Sequence, residues 1–345
     1  MTTMSLDEIR ALPKVLLHDH LDGGLRPATI LELADAAGYR RLPADEPVAL
    51  ANWFHEAASA GSLTRYIDTF EQTVSVMQTQ ESVARVAAEA VLDLSADGVV
   101  YAELRYAPNL STREGLSLDE IVDAFVAGLR AGEALSAAEG RLIATGAVLC
   151  GLRQLDSVED VADAAIRHHG DGVVGFDLAG PEDGFPASRH AQALGRLRAA
   201  GVPLTLHAGE AAGPASIIDA IEQGAVRLGH GVRVVEDAGL MDRVAALGLP
   251  LEVAPTSNLQ TGVAASYAEH PFERLRAAGL VLTVNTDNRL ISDTSCSAEM
   301  WHLAQAFGYR ADDLYRFTVN ALRAAFTTDD EKLRLVQLVD EGYGR

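Results

Sequence analysis

Two histidines separated by one residue follow an apolar segment near the start of the chain. The sequence from 14 to 24 reads KVLLHDHLDGG, so three apolar residues lead directly into His18 and His20. In a β-strand, side chains two positions apart lie on the same face, and both imidazoles could therefore bind one metal ion. A chain of this length and histidine content often contains such a pair by chance, so other residues must support the site.

Further residues that can bind a metal or transfer a proton follow other apolar segments. His207 and Glu210 lie in PLTLHAGE, and His230 lies in RLGHGVRV. Asp287 and Asn288 end the segment LVLTVNTDN. Nitrogen and carboxylate ligands without cysteine suit zinc, or a similar divalent ion, in a catalytic site that keeps a position for water. Three histidines and one aspartate from three of these strands would form a plausible ligand set.

Apolar segments alternate with amphipathic segments along most of the chain. Near-continuous apolar strands joined by helices predict a parallel sheet covered on both faces. Eight strands favour a closed (β/α)8 TIM barrel, whose strands all end at one face and would bring the polar residues together. An open, doubly wound sheet is the alternative, although no Gly-x-Gly-x-x-Gly turn follows the first strand. The predicted strands are 15–20, 99–107, 145–152, 173–180, 203–210, 227–234, 250–258 and 280–288, and the predicted helices are 80–96, 117–138, 157–168, 188–200, 214–223, 236–247 and 271–278.

Two regions go beyond a minimal barrel. Residues 26–80 separate the first strand from the next helix–strand pair and predict extra helices, including one over Leu63–Met77. An insertion of this size after the first strand is a candidate lid. After residue 290 the chain is predicted to be helical to its end. No linker or change of composition divides the chain, so we expect a single domain over residues 1–345.

The composition limits the class of partner. The 345 residues carry a formal net charge of −21, which argues against nucleic acid or an anionic membrane as a partner. Cys150 and Cys296 provide no disulfide framework, which fits a reducing cytosol. The first residues contain no apolar run typical of a signal peptide, and no segment approaches the length of a membrane span. We therefore expect a soluble cytoplasmic protein. The sequence does not predict its oligomeric state.

Six motifs give the sequence a resemblance to a known family. They are PKVLLHDHLDGG, GFDLAGPE, LTLHAGE, RLGHGVR, APTSNLQTG and VNTDN, in this order. In combination they resemble the adenosine deaminases of the amidohydrolase superfamily, over residues 12 to 320 approximately. The motifs of the cytidine-deaminase type of zinc site, His-x-Glu and Pro-Cys-x-x-Cys, do not occur.

The resemblance implies a cofactor, a substrate and roles for particular residues. The cofactor would be one zinc ion per chain, and the substrate a small-molecule purine nucleoside. The implied zinc ligands are His18, His20, His207 and Asp287; the implied catalytic residues are Glu210, His230 and Asp287; the implied substrate contacts are His20, Asp22, Gly180 and Asn288.

Hydrolytic deamination of a purine adds water to C6, protonates the ring and releases ammonia. Zinc lowers the pKa of a bound water toward neutrality. His230 can take a proton from this water, and Asp287 can aim the water at C6. Glu210 can donate a proton to N1 if a dry pocket raises its pKa. By the resemblance, the backbone N–H of Gly180 faces N3, and Asp22 holds a ribose hydroxyl.

Two residues depart from the usual pattern of the family. Asn288 stands where family members typically carry a second aspartate, which contacts N7 of the purine. An asparagine amide can donate to N7 without first being protonated, so purine recognition would be preserved. Asp19 stands between the paired histidines in place of a more usual apolar residue. By strand alternation it faces away from the metal, and we expect a structural role.

Three functions are compatible with these residues. The favoured one is deamination of adenosine and 2′-deoxyadenosine to inosine and 2′-deoxyinosine, as in purine nucleoside salvage. A second hypothesis keeps the chemistry for a related compound, namely 6-aminodeoxyfutalosine, adenine or a modified adenosine. The third is a barrel that binds purine or metal without turnover, which would have no need of a proton donor opposite a metal. Asp22 favours a simple nucleoside, because its implied partner is a free ribose hydroxyl.

Other polar residues are expected to be structural. Charged residues within apolar strands are expected to form ion pairs inside the barrel rather than to act in catalysis, and these are Glu103, Arg105, Arg153 and Asp177. Six histidines in helical or loop segments are expected at the surface or in packing: His55, His168, His169, His190, His270 and His302. Cys296, placed in the loop after the eighth strand, is expected to be a small buried hydrophobic residue.

Overall fold

Eight parallel strands form the centre of the protein. The computed structural model describes residues 4–59 and 63–345, and the side chains of 4–59 and 69–345. Each strand pairs with the next one along the chain, so the sheet runs in order from the first strand to the eighth. The strands are β1 (Lys14–His20), β2 (Val99–Tyr106), β3 (Ala144–Leu152), β4 (Val173–Ala179), β5 (Leu204–Ala208), β6 (Arg227–His230), β7 (Leu251–Val253) and β8 (Leu282–Val284).

A short contact between the segment after β8 and β1 closes the barrel. The backbone N–H of His20 donates to the carbonyl of Asp287 at 2.7 Å, and the N–H of Asp287 donates to the carbonyl of His18 at 3.0 Å. The side-chain oxygen of Asn285 accepts from the backbone N–H groups of Leu17 and His18 at 2.9 and 3.1 Å. This amide satisfies buried donors that the short β8 does not reach. The predicted (β/α)8 TIM barrel is confirmed, and the open sheet is wrong.

Helices connect successive strands and cover the barrel. Ser117 caps the N-terminus of the helix Leu118–Ala138. Its hydroxyl accepts from the backbone N–H of Glu120, and the Glu120 carboxylate accepts from the backbone N–H of Ser117. The helices are α1 (Leu6–Arg10), α2 (Pro27–Ala36), α3 (Pro47–Ala58), α4 (Leu63–Val74), α5 (Gln80–Ala96), α6 (Leu118–Ala138), α7 (Val158–His168), α8 (Ala191–Ala199), α9 (Pro214–Glu222), α10 (Ala238–Leu247), α11 (Pro255–Gln260), α12 (Phe272–Ala277), α13 (Cys296–Phe307), α14 (Ala311–Ala324) and α15 (Asp329–Gly342).

Three strands are shorter than the sequence predicts by four residues or more. The predicted strands 227–234, 250–258 and 280–288 end at His230, Val253 and Val284. A 3₁₀ turn over Val232–Glu236 replaces the end of the first, and α11 replaces the end of the second. Pro255 is favoured in the first turn of a helix because its missing N–H would have no partner there. The apolar residues in these segments are buried by packing rather than by strand pairing, which explains the overestimate.

The additional helices are found where they were expected. α2, α3 and α4 lie between β1 and α5, although the helix predicted over Leu63–Met77 ends at Val74. α14 packs against β1 and β8, and α15 packs against α14. Residues 60–62 of the candidate lid lie outside the described residues, and its movement stays a prediction, as does a single domain over 1–345. In the part of the chain that the structure describes, no helix is long and apolar enough to cross a membrane.

Buried ion pairs fill the barrel interior. Arg105 donates to Asp177 and to Glu252, each at 2.7 Å. Arg227 lies between Glu252, at 2.7 Å, and Glu103, at 2.5 Å. All five side chains are essentially inaccessible to solvent, so each charge depends on its partners. The predicted interior pairs are confirmed for Arg105, Asp177 and Glu103.

Two predictions about single residues are wrong. Arg153 makes no ion pair among the described residues; it donates to the carbonyls of Leu178 and His207 at 2.7 and 2.6 Å. These backbone acceptors lie at neighbouring strand ends, so Arg153 ties β4 to β5. Cys296 is not in a loop but is the first residue of α13, where it is completely buried, as expected of its character.

Candidate active site

The carboxyl ends of two strands, β1 and β5, and the segment after β8 bring four predicted ligands together. One nitrogen or oxygen atom from each of His18, His20, His207 and Asp287 lies within 4.8 Å of the others. The Nε2 atoms of His18 and His20 lie 3.3 and 3.4 Å from Oδ1 of Asp287. The Nε2 atoms of His20 and His207 are 3.4 Å apart. Residues separated by up to 269 positions therefore converge through the geometry of the barrel.

Buried carboxylates fix the orientation of two of these imidazoles. Nδ1 of His18 lies 3.1 Å from Glu252, and Nδ1 of His207 lies 2.8 Å from Asp177. Burial acts to raise the pKa of both carboxyl groups, but the charge of Arg105 and the facing histidines lower each pKa below its usual value. Because an ionised carboxylate only accepts, each ring carries its proton on Nδ1.

The remaining ring nitrogens fit a metal ion. With Nδ1 protonated, Nε2 of His18 and of His207 presents a lone pair to the cluster. Nε2 of His18 is buried and has no hydrogen-bond partner among the described residues, which a metal ligand would supply. Ser257 donates to Oδ2 of Asp287 at 2.6 Å, so Oδ1 faces the histidines. The donor set of this cluster can bind a divalent metal.

Two residues at the cluster have left-handed backbones. The φ angles of His230 and Asp287 are 61° and 58°, values that residues other than glycine rarely adopt. Asp287 is held there by its two backbone hydrogen bonds to β1. Backbones of this kind occur where the surrounding structure imposes them, and they concentrate at functional sites. Both side chains face the same cluster as a result.

Glu210 lies beside the metal-binding cluster without joining its ligand set. Its Oε2 lies 3.5 Å from Nε2 of His230, and atoms of Glu210, His230 and Asp287 lie within 4.8 Å of one another. Burial raises the pKa of the Glu210 carboxyl well above its usual value, and the nearby charges of Asp287 and Glu182 raise it further. Both effects favour the neutral carboxylic acid, which is the form that can donate a proton.

The loop that carries Glu210 is held by a residue to which the sequence analysis assigned no role. The buried carboxylate of Glu182 accepts from the backbone N–H groups of Gly209, Glu210 and Ala211 at 2.8, 2.9 and 3.0 Å. It also accepts from the hydroxyl of Ser216 at 2.7 Å. The available signal was an acidic residue at the end of the GFDLAGPE motif.

The predicted substrate contacts lie at the same end of the barrel. Asp22 follows β1 and is buried, and burial raises its pKa to about 7. Asn288 is also buried and packs against Gly23, where an added side chain would overlap the Asn288 amide. Gly180 is exposed at the end of β4 with a φ of 92°, and a side chain there would strain the backbone and overlap Gln154.

Asp19 lies outside the ligand cluster. Its buried carboxylate accepts from the hydroxyl of Thr286 at 2.6 Å and from Nε of Arg289 at 2.9 Å. These contacts join β1 to the segment after β8. The structural role predicted for Asp19 agrees with them.

Three comparisons with known proteins find relatives of this chain. The chain matches the family model described as adenosine deaminase over residues 13–342. A curated adenosine deaminase from Mycolicibacterium vanbaalenii is 50% identical over 350 residues, which cover 98% of this chain and 97% of the relative.

Solved structures extend the likeness to the whole fold. An adenine deaminase from Arthrobacter aurescens has a TM-score of 0.86 and 26% identity, over 97% of this chain and 100% of that chain. The N6-mAMP deaminase from Arabidopsis has a TM-score of 0.85 and 27% identity, over 97% of this chain and 99% of that chain. The match to the family model over most of its length shows that this chain belongs to the adenosine deaminase family.

Proposed function

We propose that this protein deaminates adenosine and 2′-deoxyadenosine hydrolytically, yielding inosine or 2′-deoxyinosine and ammonia. The observation that carries the proposal is the position of Glu210. A partly buried acid with a raised pKa lies next to a candidate ligand set for a divalent metal, 3.5 Å from His230. Addition of water to C6 of a purine needs a proton donor at the ring and a nucleophile at the metal side, and this arrangement provides both positions.

We propose zinc as the metal, with one ion per chain. His18, His20, His207 and Asp287 would hold it, since three imidazoles and one carboxylate without a thiolate are typical of catalytic zinc. When bound, such an ion lowers the pKa of water and so supplies a nucleophile near neutral pH. The carboxylates of Glu252 and Asp177 support the proposal, because they hold two ligand rings in the tautomer that binds a metal.

The protein groups around this metal site would handle the protons. Glu210 donates its proton to N1, which makes C6 more electrophilic. Asp287, which Ser257 holds in place, accepts a hydrogen bond from the attacking water and orients it. His230 lies on the water side, where its Nε2 can either take a proton or donate a hydrogen bond.

Four residues would recognise the nucleoside: His20, Asp22, Gly180 and Asn288. Asp22 accepts a hydrogen bond from a ribose hydroxyl, and His20 borders the same side of the site. Gly180 is exposed, and its backbone N–H would donate to N3, with no side chain at 180 to obstruct the ring. The amide of Asn288 donates to N7 without needing a proton, unlike an aspartate at that position.

The main alternative is a different 6-aminopurine substrate. Solved structures with this fold include deaminases of adenine and of N6-mAMP, each about a quarter identical to this chain. The relative that is 50% identical over nearly the full length is an adenosine deaminase, which favours the nucleoside. A barrel that only binds purine or metal is less favoured, because it would not need an acid with a raised pKa at Glu210.

An ammonia-release assay over a panel of substrates tests the proposal. The panel contains adenosine, 2′-deoxyadenosine, adenine, methylthioadenosine, N6-methyl-AMP and 6-aminodeoxyfutalosine, and the protein is loaded with zinc. We expect the highest kcat/KM for adenosine and 2′-deoxyadenosine. A higher kcat/KM for another compound would make that compound the substrate in place of adenosine. Release of no ammonia from any of the compounds would contradict the proposal that the protein is a deaminase.

A cytoplasmic location is also proposed. Both cysteines are buried and free, which suits a reducing compartment. The net charge of −21 disfavours nucleic acid and anionic membranes as partners.

A further inference from the structure

A chain of buried hydrogen bonds runs from the backbone at the start of α12 to the back of His230. It begins at Phe272, whose N–H donates to Nδ1 of His270 at 3.1 Å. Nε2 of His270 lies 3.2 Å from Oδ1 of Asn258, and Nδ2 of Asn258 lies 3.1 Å from Nδ1 of His230. None of these four hydrogen-bonded residues is more than 3% exposed, so water does not compete for the contacts.

The direction of this chain is set at its backbone end. A peptide N–H can only donate, so Nδ1 of His270 must accept and cannot carry a proton. Burial lowers the pKa of His270 to about 4, and its ring is neutral near neutral pH. A neutral imidazole has one proton, which therefore lies on Nε2 and is donated to Asn258.

The amide of Asn258 continues the same direction of hydrogen-bond donation toward His230. Its oxygen accepts from His270, so its NH₂ group faces His230 and must donate to Nδ1. Nδ1 of His230 consequently has no proton when the ring is neutral, and the single ring proton lies on Nε2. That nitrogen is buried, has no hydrogen-bond partner among the described residues and lies 3.5 Å from Glu210.

We propose that His270 is a positioning residue that acts through Asn258 to hold His230 in the Nε2–H tautomer. His230 then enters the reaction as a hydrogen-bond donor toward the oxygen of the attacking water and not as its base, because Nε2 already holds a proton. The proton that the water loses passes instead to the carboxylate of Asp287, which transfers it to the leaving amine. This consequence rests on the proposed deaminase function. The hydrogen-bond chain and the tautomer do not depend on it.

The tautomer of His230 is the opposite of the tautomer of two neighbouring histidine rings in the site. His18 and His207 face ionised carboxylates and carry their protons on Nδ1, which leaves Nε2 as a metal ligand. His230 faces an amide that donates, so its Nε2 is a donor and is unsuited to the metal. A carboxylate behind the ring thus leaves Nε2 free to bind a metal in His18 and His207, whereas an amide behind the ring keeps a proton on Nε2 in His230.

Nitrogen NMR of the zinc-loaded protein with ¹⁵N-labelled histidine tests the tautomer directly. Long-range ¹H–¹⁵N correlations identify which ring nitrogen carries the proton, and a His230→Gln variant assigns the signals. We expect a protonated Nε2 and an unprotonated Nδ1 for His230. A proton on Nδ1 in the wild-type protein would overturn the proposal, whatever the variants show.

Substitution of Asn258 by aspartate, which has the same shape, is a second test of the proposal. In Asn258→Asp, the carboxylate accepts from both histidines, so the proton of His230 should move to Nδ1. We expect this change in the NMR spectrum, an unchanged zinc content and a kcat for adenosine lower by roughly 10²-fold, the size of losing one positioned donor, with little change in KM. A reversed tautomer with full kcat would overturn the proposed role.

An isosteric pair at position 270 separates positioning from packing. In His270→Gln the side-chain amide can still donate to Asn258, and we expect the Nε2–H tautomer of His230 and most of kcat to be retained. In His270→Glu the carboxylate accepts instead, so the Asn258 amide should turn and the tautomer should reverse. Equal losses in both variants, with the tautomer unchanged in both, would contradict a positioning role. Wild-type protein with the expected tautomer but no deamination of adenosine would refute the proposed function and leave the hydrogen-bond chain intact.

Discussion

Oε2 of Glu210 lies 3.5 Å from Nε2 of His230, and both atoms face the cluster that contains Asp287. Glu210 extends from the loop after β5, whereas His230 ends β6, so their proximity depends on adjacent strands ending at the same level. The pair places two groups that can hold protons beside a cluster that could hold a metal ion.

Glu210→Gln should keep the metal and lose turnover. The amide has the same shape but cannot deliver a proton, so we expect kcat for adenosine to fall by about 10²–10⁴-fold. Steady-state kinetics together with zinc analysis of the purified variant measure both properties. The matched control is Glu56→Gln on the exposed face of α3, which should behave as wild type. Turnover of Glu210→Gln near the wild-type level would show that another group protonates the ring.

Glu182→Gln should move the alkaline limit of activity to lower pH. In the proposed reaction the protonated form of Glu210 is the active one, so activity should be present below its pKa and lost as pH rises through it. The charge of Glu182 adds to burial and to Asp287 in raising that pKa. Removing the charge should therefore lower the pKa. The pH profile of kcat measures the shift, and an alkaline limb that stays in place or moves upward would contradict it.

Asp177→Asn should weaken metal binding. The carboxylate accepts from Nδ1 of His207 and keeps the lone pair of Nε2 available, and loss of such a partner typically lowers metal affinity by about 10–100-fold. Competition with a zinc chelator measures the affinity. Because Asp177 also pairs with Arg105, the variant should unfold at a lower temperature even without metal. An unchanged zinc affinity would count against His207 as a ligand.

Asp22→Ala should affect ligands that contain ribose and spare free bases. Loss of a hydrogen bond from a sugar hydroxyl to a carboxylate should raise KM for adenosine by roughly 10–100-fold. Inhibition constants for inosine and hypoxanthine, measured on wild type and variant, isolate the sugar contribution. Inosine should bind more weakly to the variant, while hypoxanthine should bind equally to both. Parallel weakening of the two ligands would mean that Asp22 shapes the base pocket instead.

Much of this site could be predicted from local patterns. The alternation of apolar strands with amphipathic helices indicates a parallel barrel, and strand periodicity places His18 and His20 on one face. The position of Asp287 after the last apolar segment then follows from the fold class. These inferences depend only on which residues are neighbours in sequence, because backbone geometry repeats along each strand.

Contacts between distant segments could not be predicted in this way. Glu252 behind His18 and Asp177 behind His207 are strand residues whose partners depend on the stagger of the barrel. Glu182 and His270 were assigned no role, since nothing in their neighbours indicates a loop clamp or a link to His230. The ends of β6, β7 and β8 were also misplaced, because a buried apolar residue has the same sequence pattern whether packing or strand pairing buries it.

The residue types needed for the chemistry are therefore present in the sequence as short, local motifs. Their protonation and orientation are properties of the folded barrel, because a proton position is fixed by the group behind each ring. Carboxylates face two ligand histidines, and an amide faces His230. Closure of the barrel between β8 and β1 brings Asp287 to the histidines of β1, and that contact depends on the side chain of Asn285.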